Sequence, residues 1–213
     1  MNNVPSKEEM YEAFADRHGK KLQDKLLNTT VAICGLGGLG SNIAVSLARL
    51  GVGKLILIDF DKVDITNLHR QQYKAGQVGM EKAFALKNNL LEISPYINID
   101  SFVEKIDESN MDRLLKPADI ICEAFDNPVN KAMLVNYVLE NYHSKYLVAA
   151  SGMAGIDSTN SIKTKKIGER FYLCGDGISE VGKAEGLFSS RVMACAAHEA
   201  HMVLRIIAGE LNA

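Results

Sequence analysis

Val31-Ala32-Ile33-Cys34-Gly35-Leu36-Gly37-Gly38-Leu39-Gly40-Ser41 is the stretch that decides how this chain folds. A short apolar, β-branched run breaks into four glycines within six positions and then reads as a helix. A strand that turns this sharply into a helix needs glycine where φ is positive or where a Cβ would block a ligand. The turn leaves free backbone N–H groups at a helix N-terminus, where the dipole also favours negative charge. That geometry binds phosphate, and the spacing Gly35-x-Gly37-x-x-Gly40 fits the dinucleotide fingerprint.

The rest of the chain fits a soluble domain around that turn. Its 213 residues are most simply one unit with a full core. A net charge of -2 gives no basic excess of the kind that points to nucleic acid. No apolar run reaches the ~18 residues of a membrane span. The N-terminus, with Glu8, Glu9 and Glu12, lacks the apolar region of a signal peptide. Cys34, Cys122, Cys174 and Cys195 lie far apart and form no C-x-x-C pair, which argues against a disulfide framework and against a four-thiolate zinc site. A reducing cytoplasm is the expected location, without structural zinc.

Residues 7–27 read as helical, with Leu22, Leu26 and Leu27 spaced to share a face. The helix after Gly40 carries Ile43, Ala44, Leu47, Ala48 and Leu50 and ends at Gly51. Residues 54–59 form a second strand of the continuous, buried type. A polar segment, 60–79, leads to a helix that stops before Pro95. Residues 97–106 read as a strand, 109–115 as a short helix opened by Ser109, and 118–125 as a strand. A helix over 129–142 and a strand over 146–150 follow. Strands alternating with helices predict a doubly wound, mostly parallel, Rossmann-like α/β sheet with helices on both faces. Beyond Ser151 the pattern changes. Residues 161–174, with Lys163, Lys165 and Lys166, predict antiparallel strands at the sheet's edge. Residues 175–186, with four glycines, Asp176, Glu180 and Glu185, predict a mobile loop, and 188–208 a final helix.

Asp59 closes the second strand ~20 residues past the glycine turn, where a Rossmann-type site places its ribose-binding carboxylate; the alternative is a plain turn cap. Asn67, Arg70 and Gln71 place amides and a guanidinium just beyond that acid. Lys82 stands at a helix start, where its charge opposes the dipole, so it is expected to face an anion. Arg and Lys together can neutralise a reacting triphosphate; the alternative is two solvated surface cations. Asp126 follows the fourth strand and can reach the same crevice, where a carboxylate plus phosphates suits magnesium. Its alternative is a helix cap before Pro128.

These blocks resemble the ubiquitin-activating-enzyme-like adenylyltransferases that include ThiF, MoeB and HesA. The matching residues are Gly35, Gly37, Gly38, Gly40 and Ser41, then Asp59 and Asp61, then 67–71 with Asn67, Arg70 and Gln71. Gly79, Lys82, Asp126-Asn127 and Ser151-Gly152 with Gly155 follow in the same order. The resemblance implies that Asp59 holds the ATP ribose, that Asn67, Arg70 and Lys82 handle phosphates, and that Asp126 holds Mg2+. It implies a homodimer in which an N-terminal arginine, with Arg17 the nearest candidate, reaches the partner's ATP site. The chain is short at its C-terminal end and lacks the zinc cysteines of ordinary members, so a compact, zinc-less ThiF-like group in thiamine biosynthesis fits best.

On that reading the substrate is the C-terminal glycine carboxylate of a ubiquitin-like sulfur carrier of ThiS type, ending in Gly-Gly. The carboxylate attacks ATP to give an acyl-adenylate and pyrophosphate, and a further protein can supply sulfur. Residues 1–27 form a helical arm, 28–155 the nucleotide-binding core, and 156–213 the carrier-binding and dimer-forming part. Cys174 is the positional candidate for a cysteine that accepts the activated group. Cys195, His198 and His201, at i, i+3 and i+6, make a poor three-ligand metal face on one helix. Other readings of the same pattern are activation of a molybdopterin or cysteine-pathway carrier, an NAD-dependent oxidoreductase, and a non-catalytic nucleotide-binding scaffold.

Overall fold

The computed structural model describes residues 4–179 and 186–213. Seven strands form one sheet in the order β3-β2-β1-β4-β5-β7-β6. These are β1 (Thr30–Cys34), β2 (Lys54–Ile58), β3 (Asn98–Phe102), β4 (Ile120–Glu123), β5 (Tyr146–Ala150), β6 (Lys163–Lys166) and β7 (Phe171–Gly175). All neighbours pair in parallel except β6 with β7. The doubly wound sheet expected from the alternation is therefore present. Only β6 runs against it, because β7 joins β5 in parallel and leaves β6 alone as the antiparallel edge.

Alternate residues of each central strand feed two cores. Val31, Ile33, Leu55, Leu57 and Cys122 face α2 (Lys20–Leu27), α3 (Gly38–Leu50), α4 (Lys82–Ile93) and α7 (Ser189–Ala208). Ala32, Cys34, Ile56, Ile58 and Ile121 face α5 (Met111–Leu115) and α6 (Pro128–Asn141). Strands buried on both faces explain why their sequences read as continuous apolar runs. Strand order reverses between β1 and β4, and ligands of open α/β sheets bind in the crevice beyond the carboxyl ends at that point.

Local chemistry moves several expected boundaries. The helical stretch over 7–27 is two helices, α1 (Lys7–His18) and α2, because Gly19 takes φ 82° and its N–H closes α1 on Ala15. Leu26 is sealed while Leu27 stays 39% exposed, and buried Gln23 shares the inner face instead. Helix α5 starts at Met111 behind Asn110, since the Ser109 hydroxyl and N–H are both spent on Asp107. The helix after the glycine turn begins at Gly38 rather than beyond Gly40.

The loop expected to be mobile falls partly at 180–185, outside the described residues. Its described part is pinned. Asp176 accepts from the Ile178 and Ser179 N–H groups and pairs with Arg191, which also donates to the Asp157 and Ser158 carbonyls. Burial would raise the Asp176 carboxyl, yet these donors hold it down at about 2. Among the described residues no helix is long and apolar enough to cross a membrane.

Candidate nucleotide site at the strand reversal

The glycine turn sits at the mouth of the crevice, and its glycines have different jobs. Gly35 has φ 90°, and a Cβ there would lie 2.8 Å from the Ala124 carbonyl oxygen just past β4. A Cβ on Gly40 would fall 1.9 Å from the Gly35 carbonyl oxygen, so α3 can press on the turn only without a side chain. Gly37 is the N-cap of α3, and the nearest atom to a Cβ there is Gln71 Nε2 at 3.8 Å. Its missing side chain leaves the helix N-terminus open on the ligand side. The Leu36 N–H donates to Asp59 (2.6 Å) and the Tyr73 hydroxyl to the Leu36 carbonyl (2.7 Å), so the turn is held from both flanks.

Asp59 is buried at the end of β2 and accepts the Leu36 and Asp61 N–H groups, one on each oxygen. Burial pushes its carboxyl above the usual range, and Lys82 opposes that most strongly. Lys82 opens α4 with its side chain only 7% exposed. Its Nζ lies 2.9 Å from Asp61 and 3.9 Å from Asp59. The lysine thus pairs with two carboxylates of its own chain, and the solvated-cation alternative fails for it.

Arg70 is half-buried, and its stem passes 3.6 Å from where a Gly38 Cβ would stand. Its guanidinium donates to Asn67 Oδ1 at 2.9 Å. Burial draws the Arg70 pKa down while the Asp126 charge acts in the opposite sense, which places that carboxylate in its field. Gln71 is buried, and among the described residues its Oε1 has no hydrogen-bond partner, although buried acceptors are nearly always satisfied. An acceptor left open beside the uncovered face of Gly37 fits an incoming donor. Asp126 itself is exposed, and Asn127 caps α6 by accepting from Val129 and Asn130. The capping alternative for Asp126 is therefore removed.

Three candidates do not join this group. The Ser41 hydroxyl donates to the Gly37 carbonyl (2.6 Å) and accepts the Gln72 N–H (3.1 Å), so it braces the turn with no proton left for phosphate. Cys174 is fully buried on β7, and burial pushes its thiol up to about 12, the wrong environment for a nucleophilic thiolate. Such a thiol does not suit an acceptor cysteine. Arg17 is exposed in the last turn of α1, whose Phe14 packs against Gly51 at the far end of α3. That end is ~20 Å from the glycine turn, out of reach within one chain. Among the described residues no three His, Cys, Asp or Glu side chains gather to hold a metal, and His198 instead meets Thr164 at 3.1 Å.

Sequence patterns pass over the braces of the site. Glu123, buried at the end of β4, accepts the Phe125 N–H and pairs with Lys131, which also donates to the Ala150 carbonyl. That pair fixes the turn leading to Asp126. An acid in an otherwise apolar strand was its one visible signal. Beside Arg70, a cleft of about 400 Å³ is lined by His69, Gly186, Leu187 and Phe188.

The chain is similar to known proteins in sequence and in fold. The molybdopterin-synthase adenylyltransferase of Haemophilus influenzae is 39% identical over 106 residues, covering 49% of this chain and 44% of that protein. The adenylyltransferase and sulfurtransferase MOCS3 of Caenorhabditis briggsae is 35% identical over 122 residues, covering 57% of this chain and 30% of that protein. The matched stretch thus spans less than half the length of either relative. The E. coli tRNA N6-threonylcarbamoyladenosine dehydratase, solved with ATP, shares the fold with a TM-score of 0.86 at 20% identity, over 98% of both chains. Residues 11–211 match the model of the ThiF family, and the chain belongs to that family.

Proposed function

We propose that this chain is an ATP-dependent adenylyltransferase that activates the C-terminal glycine carboxylate of a ubiquitin-like sulfur carrier with a Gly-Gly end. The observation that carries the reading is the meeting of Gly37, the unpartnered Gln71 acceptor, Arg70, Lys82 and Asp126 around one strand reversal. A dinucleotide site needs only the turn and the ribose acid. Two cations and an outer carboxylate suit a triphosphate under attack.

In the reaction the carrier's carboxylate oxygen forms a bond to the α-phosphorus, the α–β phosphoanhydride bond breaks, and pyrophosphate leaves with that electron pair. A carboxylate nucleophile needs no general base, so this chain contributes positioning and charge. Asp59 retains free lone pairs for the ribose, the first turn of α3 takes phosphate, and Arg70 with Asn67 and Lys82 balance the growing charge on the leaving group. Asp126 would hold Mg2+, which supplies further charge neutralisation to the phosphates when bound. The cleft of His69, Leu187 and Phe188 beside Arg70 offers the carrier tail its approach. Arg17 acts in trans in a homodimer, with residues 156–213 serving carrier and dimer contacts.

The carrier we favour is of ThiS type, serving thiamine thiazole formation with a sulfur-donor protein. The names of the relatives favour a molybdopterin-type carrier as the second reading. Pyrophosphate–ATP exchange with each purified carrier tests both. Exchange with the ThiS-type carrier alone is expected. Exchange with the molybdopterin-type carrier alone would move the substrate, and tight ATP binding without exchange would end the adenylation reading.

A further inference from the structure

Asn42 occupies the second turn of α3, 6% exposed, where a buried asparagine is a poor choice for the helix itself. Its amide is fully used. Nδ2 donates to the Gly38 carbonyl at 2.6 Å and to the Arg70 carbonyl at 3.2 Å, and Oδ1 accepts from Gln72 Nε2 at 2.7 Å. Next to it, the Ser41 hydroxyl joins the Gly37 carbonyl to the Gln72 N–H. From the other side Asn89 donates to the Gln72 carbonyl at 2.9 Å and locks itself to Gln77. The backbone of residues 70–72 is therefore tied by side chains at three points, and two of those ties come from the first turns of the phosphate-facing helix.

We propose that Asn42 is a positioning residue that registers Arg70 against the glycine turn. The inference rests on the reading of Arg70 as a phosphate ligand. Arg70 carries its charge on a stem that runs beside Gly38, and its guanidinium is placed by the backbone of residue 70 together with the bond to Asn67 Oδ1. Among the described residues, Asn42 is the side chain that hydrogen-bonds to the carbonyls of both Gly38 and Arg70. A helix bond alone would need only the contact to Gly38, which a serine also makes. The second donation and the grip on Gln72 serve the neighbouring segment. Misplacement of a reacting group by about 1 Å costs on the order of 100-fold in rate.

The test is a double-mutant cycle on the full chain, read as ATP affinity by calorimetry and as carrier-dependent exchange. N42A is expected to weaken ATP about ten-fold and to lower the exchange kcat at least as much. In an R70A background the same change is expected to alter either reading less than about two-fold. N42S keeps a hydroxyl for the Gly38 carbonyl but falls short of Arg70, so it shares the loss while folding normally. Equal factors in both backgrounds, or wild-type affinity in N42S, would overturn the proposal. A wild type that binds ATP without any exchange would sink the adenylation reading alone, since the affinity cycle still decides this one.

Discussion

Lys82 Nζ stands 2.9 Å from the carboxylate of Asp61 and 3.9 Å from that of Asp59, with the lysine nearly sealed and Asp61 half open to solvent. One cation between two acids cancels half of their negative charge, which would otherwise repel ATP more strongly. Lys82→Met is expected to lower exchange by about 100-fold or more. It also strands the buried Asp59, whose carboxyl burial already raises. A group raised in the folded chain contributes stability at low pH and loses it as pH climbs through its folded value. The variant should therefore lose about 2 kcal/mol at pH 8 and recover toward wild type at pH 5, read from urea midpoints. Full activity would return this lysine to a purely structural part.

Gly37 and Gly40 are three residues apart and should answer substitution in opposite ways. A Cβ at Gly37 meets nothing closer than 3.8 Å, whereas one at Gly40 lies 1.9 Å from the Gly35 carbonyl. Gly37→Ala is expected to melt like wild type but to bind ATP at least about ten-fold more weakly, because its methyl occupies ligand space. Gly40→Ala should fail to fold, since the clash is with backbone. Unchanged ATP affinity in Gly37→Ala would place the phosphates elsewhere.

The glycine turn, Asp59 and the central strands were legible because each is a local pattern: a β-branched run, a fixed glycine spacing, an acid at a strand end. The pairing of Asp61 with Lys82 was not, because 21 positions separate them and it is the backbone pairing of residues 61–63 with 79–82 that brings them together. Gly19 was hidden inside a helical periodicity that continues on both sides of it. Cys174 was misread because proximity to a glycine-rich stretch says nothing about which face of β7 a thiol takes; the alternation with Tyr172 turns both inward. Ser41 matched the family pattern correctly, yet its hydroxyl serves the turn itself.

Asp126 is free of structural duty and Asn127 is not. The aspartate is exposed, while the Asn127 side chain accepts two N–H groups at the start of α6. Asp126→Ala is expected to cut magnesium-dependent exchange below about 1% while leaving the thermal midpoint within a few degrees. Asn127→Ala should cost about 1 kcal/mol of stability through the lost cap. Retained exchange in Asp126→Ala, measured across magnesium concentrations, would show that the carboxylate holds no metal.

Glu199 on α7 is sealed in the core, and among the described residues neither carboxylate oxygen has a hydrogen-bond partner. Burial first, and then the Glu123 charge, push its carboxyl well above the usual range against the weaker pull of Lys131. The folded chain therefore keeps a proton that the unfolded chain releases above about pH 4.5. This raised group contributes its full stability below that pH and loses it as pH rises toward the folded value, at about 1.4 kcal/mol per pH unit. Glu199→Gln preserves the shape and removes the titration. Urea midpoints between pH 5 and 9 should fall with pH in the wild type and fall less in the variant, which becomes the more stable of the two on the alkaline side. Parallel curves would mean that the carboxyl gives up its proton in the folded chain as readily as in the unfolded one.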